Sequence, residues 1–355
     1  MNDAIRITRA ATKKAKPKDS ELGFGTVFTD HMFLADFKEE KGWYDPRIEP
    51  YASLSLDPAA AVLHYAQTVF DGLKAFRGVD GRVRLFRPAK HVERLNNSAR
   101  RLCIPLLDPD LALRSLVELV GLEREWVPAS VGTALYVRPT IIANEPFLGV
   151  RPAKSYIYYV ILSPVGAYYL EGMNPVKILV VDKYVRAVEG GVGAAKTGGN
   201  YAASLLAAEE AHRSGFTQVL WLDGVHRQYI EEVGTMNIML RIGDEVVTPP
   251  LGGTILPGVT RDSALTLLRE WGVAVSERQI GMPEVVAAAR SGTLSEAWGT
   301  GTAAVISPVG ELSYRSERIV INGGRIGELT RRLYQEIVNV QYARVPDGRG
   351  WTLEV

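Results

Sequence analysis

The chain has 355 residues, 46% hydrophobic and 23% charged, values near the globular average and enough length for two domains with substantial cores. Its 41 basic and 40 acidic residues leave a net charge of +1, so neither nucleic acid nor an anionic membrane has an electrostatic reason to bind. Cys103 is the sole cysteine, which excludes an intramolecular disulfide and a thiolate-rich metal site. The five histidines show no metal-ligand spacing, no metal is expected, and a reducing compartment, the cytoplasm, suits such a chain.

Residues 1–20 are basic but hold no long apolar run, and they read as a flexible or loosely docked arm rather than a secretory signal. An N-terminal α+β domain is expected over residues 21–165. Asp57-Pro58 precedes a helix at 60–67, and "GLKAFRG" and "GRVRLFRP" read as strands joined by a turn at residues 79–81. "RPAKHVERLNNSARRL" is helical, with Val92, Leu95 and Ala99 on one face, and Asp108 opens a second helix carrying Leu113, Leu116, Val117 and Val120. "TALYVRPTIIA" and "SYIYYVILSPV" look like long strands; the second apolar run is broken by Ser163-Pro164 and is too short to cross a bilayer. The loop 166–175 is the expected interdomain connection.

A C-terminal α/β domain is expected over 176–355. "VKILVVD" is a strand, "NYAASLLAAEEAHRSG" a single alanine-rich helix stopped by Gly215, and "FTQVLWLD", "RQYIEE", "MNIMLRIGD" and "EVVTPP" successive short strands. Helices follow at 260–272 and through "RIGELTRRLYQEIVNVQYA", where Ile326, Leu329, Leu333 and Ile337 share a face.

The stretch "GGVGAAKTGGNY" looks like a phosphate loop but departs from one where the mechanism is most demanding. Ala195 stands where the second glycine of GxxxxGK[ST] belongs, and Gly198-Gly199 are expected to break the first turn of a following helix. Lys196 among small neighbours instead suits a Schiff-base nucleophile, which needs access for a planar group and a lowered pKa. Pyridoxal phosphate chemistry would add an acid for the ring nitrogen, groups for the phosphate and a hydroxyl near the ring oxygen O3′. "YIEEVGTMN" offers Glu231 or Glu232, only one of which can face a site from a strand. "LPGVTRD" opens a helix where an anion is favoured, "WGTGTAAV" offers a second turn, and Arg94 on "HVERL" is a possible phosphate cation.

Together these motifs resemble the class IV (fold type IV) pyridoxal-phosphate aminotransferases, specifically the branched-chain amino-acid aminotransferases. The likeness runs in order through "FGTVFTDHMF", "LHYAQTVFDGLKAFRG", "RLFRPAKHVERLNNSARRL", "LYVRPTIIANEPFLGV", "VGAYY", "GGNY", "QVLWLDG", "EEVGTMN", "LPGVTRD" and "GTGTAAV". It implies two mixed α/β domains with the cofactor at the domain interface. It also implies a homodimer exchanging amino groups between L-leucine, L-isoleucine or L-valine and 2-oxoglutarate by a ping-pong route through pyridoxal 5′-phosphate, with glutamate and the 2-oxo acids as the other partners. Other members of the fold type, D-amino acid aminotransferases and aminodeoxychorismate lyases, are the alternative.

By this resemblance Lys196 carries the Schiff base and moves the substrate proton, Glu232 pairs with the ring nitrogen, and Tyr201 bonds O3′. Arg94 binds the phosphate with Val259, Thr260 and Thr302. Phe24, Tyr65, Phe70, Tyr136 and Tyr168 match the aromatic pocket walls, and Leu148 and Val150 match residues that the partner subunit lends. Thr235, Thr302 and Ala303 meet the substrate carboxylate, and Arg138 is the candidate for the side-chain carboxylate of glutamate. Some relatives carry a CxxC after the "GTA" turn; here that position runs from Ala304 to Ser307, and thiol regulation at this place is absent.

Overall fold

The structure is a computed structural model that describes residues 4–166 and 173–355. The chain divides into two units. One comprises Met1–Tyr168, Ala195–Gly198 and Asn339–Val355, and the other Tyr169–Ala194 and Gly199–Val338.

Among its described residues, the first unit is built on a sheet in the order Arg6–Ile7, Gly42–Pro50, His31–Lys38, Ser155–Val165, Ala134–Ala143, Leu73–Arg77, Val83–Phe86 and Thr352–Glu354, with Thr68–Phe70 also pairing with Ala134–Ala143. Only Arg6–Ile7 runs parallel to its neighbour. Alternation along Ala134–Ala143 decides what each face does. Leu135, Val137, Ile141 and Ala143 enter the core beside Tyr156, Tyr158, Val160 and Leu162 of the neighbouring strand. Helices Pro88–Arg101 and Pro109–Leu122 cover that face through Val92, Leu95, Ala99, Leu111, Leu116 and Leu119. Asp108 caps the second helix, accepting from the amides of Asp110 and Leu111. Tyr136 and Arg138 therefore look out from the opposite face, and the chemistry collects there.

The segment expected to be a flexible arm makes defined contacts over residues 6–16. Ala10 N donates to His31 Nε2 (2.8 Å), Lys14 N to Asp30 Oδ1 (2.7 Å), and the Lys14 ammonium lies 4.2 Å from the centre of the Tyr51 ring.

Among its described residues, the second unit has a mixed sheet in the order Ile230–Val233, Gln218–Leu222, Val176–Val181, Val305–Tyr314, Leu294–Gly301, Met236–Ile242, Glu245–Thr248 and Ala274–Glu277. Ile230–Val233 also pairs with Met236–Ile242, which closes the first six strands into a ring. Ile178, Val180, Leu220, Ile238 and Leu240 fill one core with Met282 and Val285 of helix Met282–Ser291. Val181, Val219 and Trp221 face the other way, against Ala207 and Ala211 of helix Leu205–Arg213.

Two expectations around the glycine stretch are corrected. Gly198 and Gly199 do not prevent a helix: a five-residue helix, Gly198–Ala202, begins right after Thr197. The alanine-rich helix is also two pieces, because Ser204 N bonds to Tyr201 O (3.0 Å) and Ser204 Oγ bonds to the same carbonyl (2.7 Å), tightening the turn before Leu205–Arg213 resumes. A serine hydroxyl competing for a helix carbonyl is the local cause.

Candidate active site

In the first unit Lys196 and its neighbour Thr197 are fastened by three hydrogen bonds. The Lys196 carbonyl accepts from Phe70 N (3.0 Å), its amide donates to Ser98 Oγ (2.8 Å), and the Thr197 hydroxyl donates to Thr68 O (2.7 Å). The ammonium lies 5.2 Å from the centre of the Phe70 ring. Burial of the amine, with the positive charge of Arg94 as the next cause, pushes its pKa from 10.5 down to about 8. Desolvation penalises a cation, and a second cation adds to the penalty. The result is an amine that deprotonates readily, as an attacking or proton-moving lysine requires.

Helix Pro88–Arg101 carries two stripes. Besides the apolar one it presents His91, Arg94 and Ser98, all buried. His91 and Arg94 share Asp71, which is wholly buried, as their partner, while Ser98 Oγ donates to Arg94 O (3.0 Å). Arg94 Nε donates to Asp71 Oδ2 (2.9 Å) and Arg94 Nη2 to Asp71 Oδ1 (2.7 Å), while His91 Nδ1 lies 2.7 Å from Oδ1. Burial alone would raise the Asp71 carboxyl, but Arg94 and then His91 drive it far below the usual carboxylate range. The guanidinium is thus anchored by one edge to an anion, a two-pronged pairing that fixes its orientation. Asp71, His91 and Ser98 were not among the candidates read from the sequence; the stripe at 91, 94 and 98 was the available signal.

Around Phe70 the sequence candidates do gather. Arg138 lies 4.7 Å from the centre of that ring and donates through Nη2 to the Tyr136 hydroxyl (2.9 Å), and the Phe24 ring meets Tyr136 edge-on at 5.1 Å. Gly72 makes room for this cluster, because a Cβ there would fall 1.9 Å from the Tyr136 oxygen. Lys74, in strand register with Tyr136 and so on its face, is buried, and burial lowers its pKa to about 8. Tyr65 is 40% exposed, and Leu148 and Val150 are 66% and 89% exposed. Tyr168 lies outside the described residues.

In the second unit Glu232 and Asn237 are direct partners in a hairpin that turns at Gly234-Thr235, with Gly234 at φ +56°. Glu232 Oε1 accepts from Leu256 N (2.7 Å) and from Asn237 Nδ2 (3.4 Å), and Asn237 Nδ2 also donates to Leu256 O (2.9 Å). This clasp holds the entry to helix Val259–Glu270, whose N-cap is Gly258. A Cβ on Gly258 would lie 2.0 Å from Asn237 Oδ1. Val259 and Thr260 thus open a helix whose N-cap, Gly258, has no side chain to cap it, and a helix start favours an anion. Thr302 and Ala303 form the turn between Leu294–Gly301 and Val305–Tyr314, and Tyr201 sits in the helix after Lys196. Glu231, on the opposite face to Glu232 by strand alternation, lines a cavity of about 340 Å³ with Asp223, His226 and Tyr229, and burial raises its pKa.

Taken by themselves, the residues of each unit fit pyridoxal phosphate. The first unit holds an amine of lowered pKa beside a guanidinium, and the second a buried carboxylate and a helix start with a glycine N-cap, parts that such a group needs. Thr300, in register with Asn237 and therefore on the Glu232 face, has a buried hydroxyl without a hydrogen-bond partner among the described residues, as a polar ligand's site would leave it. Among the described residues no His, Cys, Asp and Glu cluster could hold a metal ion, and no helix is long and apolar enough to cross a membrane.

Comparison with known proteins gives the family. The family model for amino-transferase class IV matches residues 68–312, more than half of the chain. The chain is 56% identical over 351 residues to branched-chain-amino-acid aminotransferase 2 of Bacillus subtilis (strain 168), covering 99% of this chain and 97% of that one. Its structure is similar to that of the Escherichia coli branched-chain amino acid aminotransferase, with a TM-score of 0.75, 26% identity, and 91% and 98% of the two chains covered. In fold it is also similar to the branched-chain amino acid aminotransferase of Thermobaculum terrenum in its PLP form, with a TM-score of 0.73, 22% identity, and 92% and 98% covered. Fold and site thus define a class IV aminotransferase, and within that class the chain belongs to the branched-chain amino-acid aminotransferases.

Proposed function

We propose that the protein transfers amino groups between branched-chain L-amino acids and 2-oxoglutarate in a ping-pong cycle that uses pyridoxal 5′-phosphate. The observation that carries this reading is Lys196, whose amine is withdrawn from solvent beside Arg94 and brought to a pKa of about 8. When bound, pyridoxal phosphate supplies an electron sink for the electron pair left on the amino-acid Cα.

Each residue then has a defined task. Lys196 Nζ would hold the cofactor covalently and, when free, would take the proton from the amino-acid Cα and carry it for delivery within the same half-reaction. Glu232 pairs with the ring nitrogen, and a carboxylate there favours its protonated form. Tyr201 directs its hydroxyl to O3′. Arg94, already fixed by Asp71, binds the phosphate together with Val259, Thr260 and Thr302. Phe24, Tyr65, Phe70 and Tyr136, with Tyr168, form an apolar wall that suits a methyl-bearing side chain. Arg138 answers the second carboxylate of glutamate, and Thr235, Thr302 and Ala303 the α-carboxylate. The exposure of Leu148 and Val150 supports their covering a neighbouring subunit's pocket in a homodimer.

Glutamate formation from L-leucine and 2-oxoglutarate tests the reading. Parallel double-reciprocal lines are expected for the native protein, and no turnover for Lys196→Ala. Intersecting lines, or activity surviving in Lys196→Ala, would contradict it.

A further inference from the structure

We infer that Arg186 is a positioning residue for the cofactor's ring nitrogen, acting through Glu232. The inference rests on the role proposed above for Glu232 and extends it to a residue outside the sequence motifs read for cofactor binding.

Arg186 Nε stands 3.2 Å from Glu232 Oε2, and the two side chains are only 7% and 4% exposed. The contact is an ion pair lying off the angle of a hydrogen bond. The far end of the guanidinium is held independently, because Nη2 donates to the carbonyl oxygens of Thr254 and Gly193. Those two backbones approach closely only because residue 193 is glycine; a Cβ there would lie 2.3 Å from Thr254 O. Arg186 is therefore tied to the glycine loop just before Ala195-Lys196, to the Thr254 loop and to the acid at once.

The carboxylate is divided between two kinds of partner. Its Oε1 is occupied by Leu256 N and Asn237 Nδ2, and its Oε2 faces the cation. A carboxylate this deeply buried keeps its charge only with such a partner. Charge on Glu232 matters because one proton is shared between the acid and the pyridine nitrogen. A cation touching the carboxylate stabilises its anionic form more than it repels a proton held by the group beyond it. Arg186 thereby biases the proton toward the ring. Glu231, on the opposite strand face, also feels Arg186, but the ion-pair contact at 3.2 Å is with Glu232.

The test uses the holoenzyme loaded with pyridoxal phosphate carrying nitrogen-15 in the ring, whose chemical shift reads ring protonation directly. Arg186→Gln should move that resonance toward the unprotonated position and weaken cofactor binding by the apoprotein by at least about tenfold. It should lower kcat for L-leucine with little change in KM, and Arg186→Lys should recover part of the shift. Where the single variant folds poorly, Arg186→Gln combined with Glu232→Gln leaves no lone buried charge, and its resonance should match that of Glu232→Gln alone. A native resonance and native affinity in Arg186→Gln would overturn the inference, as would a further shift on adding it to Glu232→Gln. Native protein that takes up no cofactor would overturn the parent reading of Glu232, and this shows before any variant is made.

Discussion

Lys196 owes its chemistry to burial first and to Arg94 second, so its behaviour with pH is predictable in sign. The neutral amine is the reactive form, and its fraction rises as pH passes through about 8. Capture of pyridoxal phosphate by the apoprotein should accelerate over that range and level off above it, as stopped-flow absorbance would report; a midpoint near 10.5 would remove the claim of a desolvated amine. The same shift appears in stability with the opposite sense to an ordinary ion-paired lysine. The unfolded chain holds this proton up to about pH 10.5 and the folded one only to about 8, so the burial penalty is complete below pH 8 and is relieved as pH rises toward 10.5. Asp71 makes the complementary case. Its depressed pKa contributes stability above the unfolded value, roughly pH 4, and the contribution is lost on further acidification. Asp71→Asn should cost about 3–5 kcal/mol in urea unfolding at neutral pH, because it leaves Arg94 buried without its anion. A loss under about 1 kcal/mol would mean the cluster is not held as a charged unit.

At the level of elements, periodicity carried far because the core obeys it. Val92, Leu95 and Ala99 marked the helix that now buries them, and "TALYVRPTIIA" and "SYIYYVILSPV" are the two adjacent strands Ala134–Ala143 and Ser155–Val165. Strands His31–Lys38 and Gly42–Pro50 escaped that reading because their charges interrupt the alternation; they are held partly by side chains, such as Arg47 on Asp36 at 2.6 Å. The candidate site was legible where a proposed residue sits in a motif, as Lys196 and Glu232 do. It was illegible where a partner is supplied by folding alone: nothing in the spacing links Asp71 to Arg94, 23 positions on, or Arg186 to Glu232, 46 positions on. The two-piece helix after Lys196 depended on one serine hydroxyl, a choice that propensity does not register. Glycine positions separate structural need from loop convenience. Gly193→Ala should destabilise the apoprotein by about 1–3 kcal/mol, since Thr254 backbone occupies the space, whereas Gly252→Ala meets nothing within 4 Å and should stay within about 0.5 kcal/mol of native in the same thermal melt. Equal effects would show that the Gly193 contact does not constrain the loop.

For the whole molecule, the family is that of the branched-chain amino-acid aminotransferases, and the proposed homodimer gives Leu148 and Val150 a use that their exposure of 66% and 89% otherwise lacks. Val150→Lys should weaken self-association in sedimentation, or raise KM for L-leucine by about tenfold or less, the range that small apolar contacts support; an unchanged assembly with unchanged KM would leave that loop without a role in the pocket. The central claim is tested most directly by a half-reaction. Protein loaded with pyridoxal phosphate is given L-leucine alone, D-alanine alone or aminodeoxychorismate alone, and the visible band of the lysine-held cofactor is followed. L-leucine should discharge the band, Lys196→Ala should show none to discharge, and D-alanine should leave it standing. A band that survives L-leucine but falls with D-alanine would contradict the account.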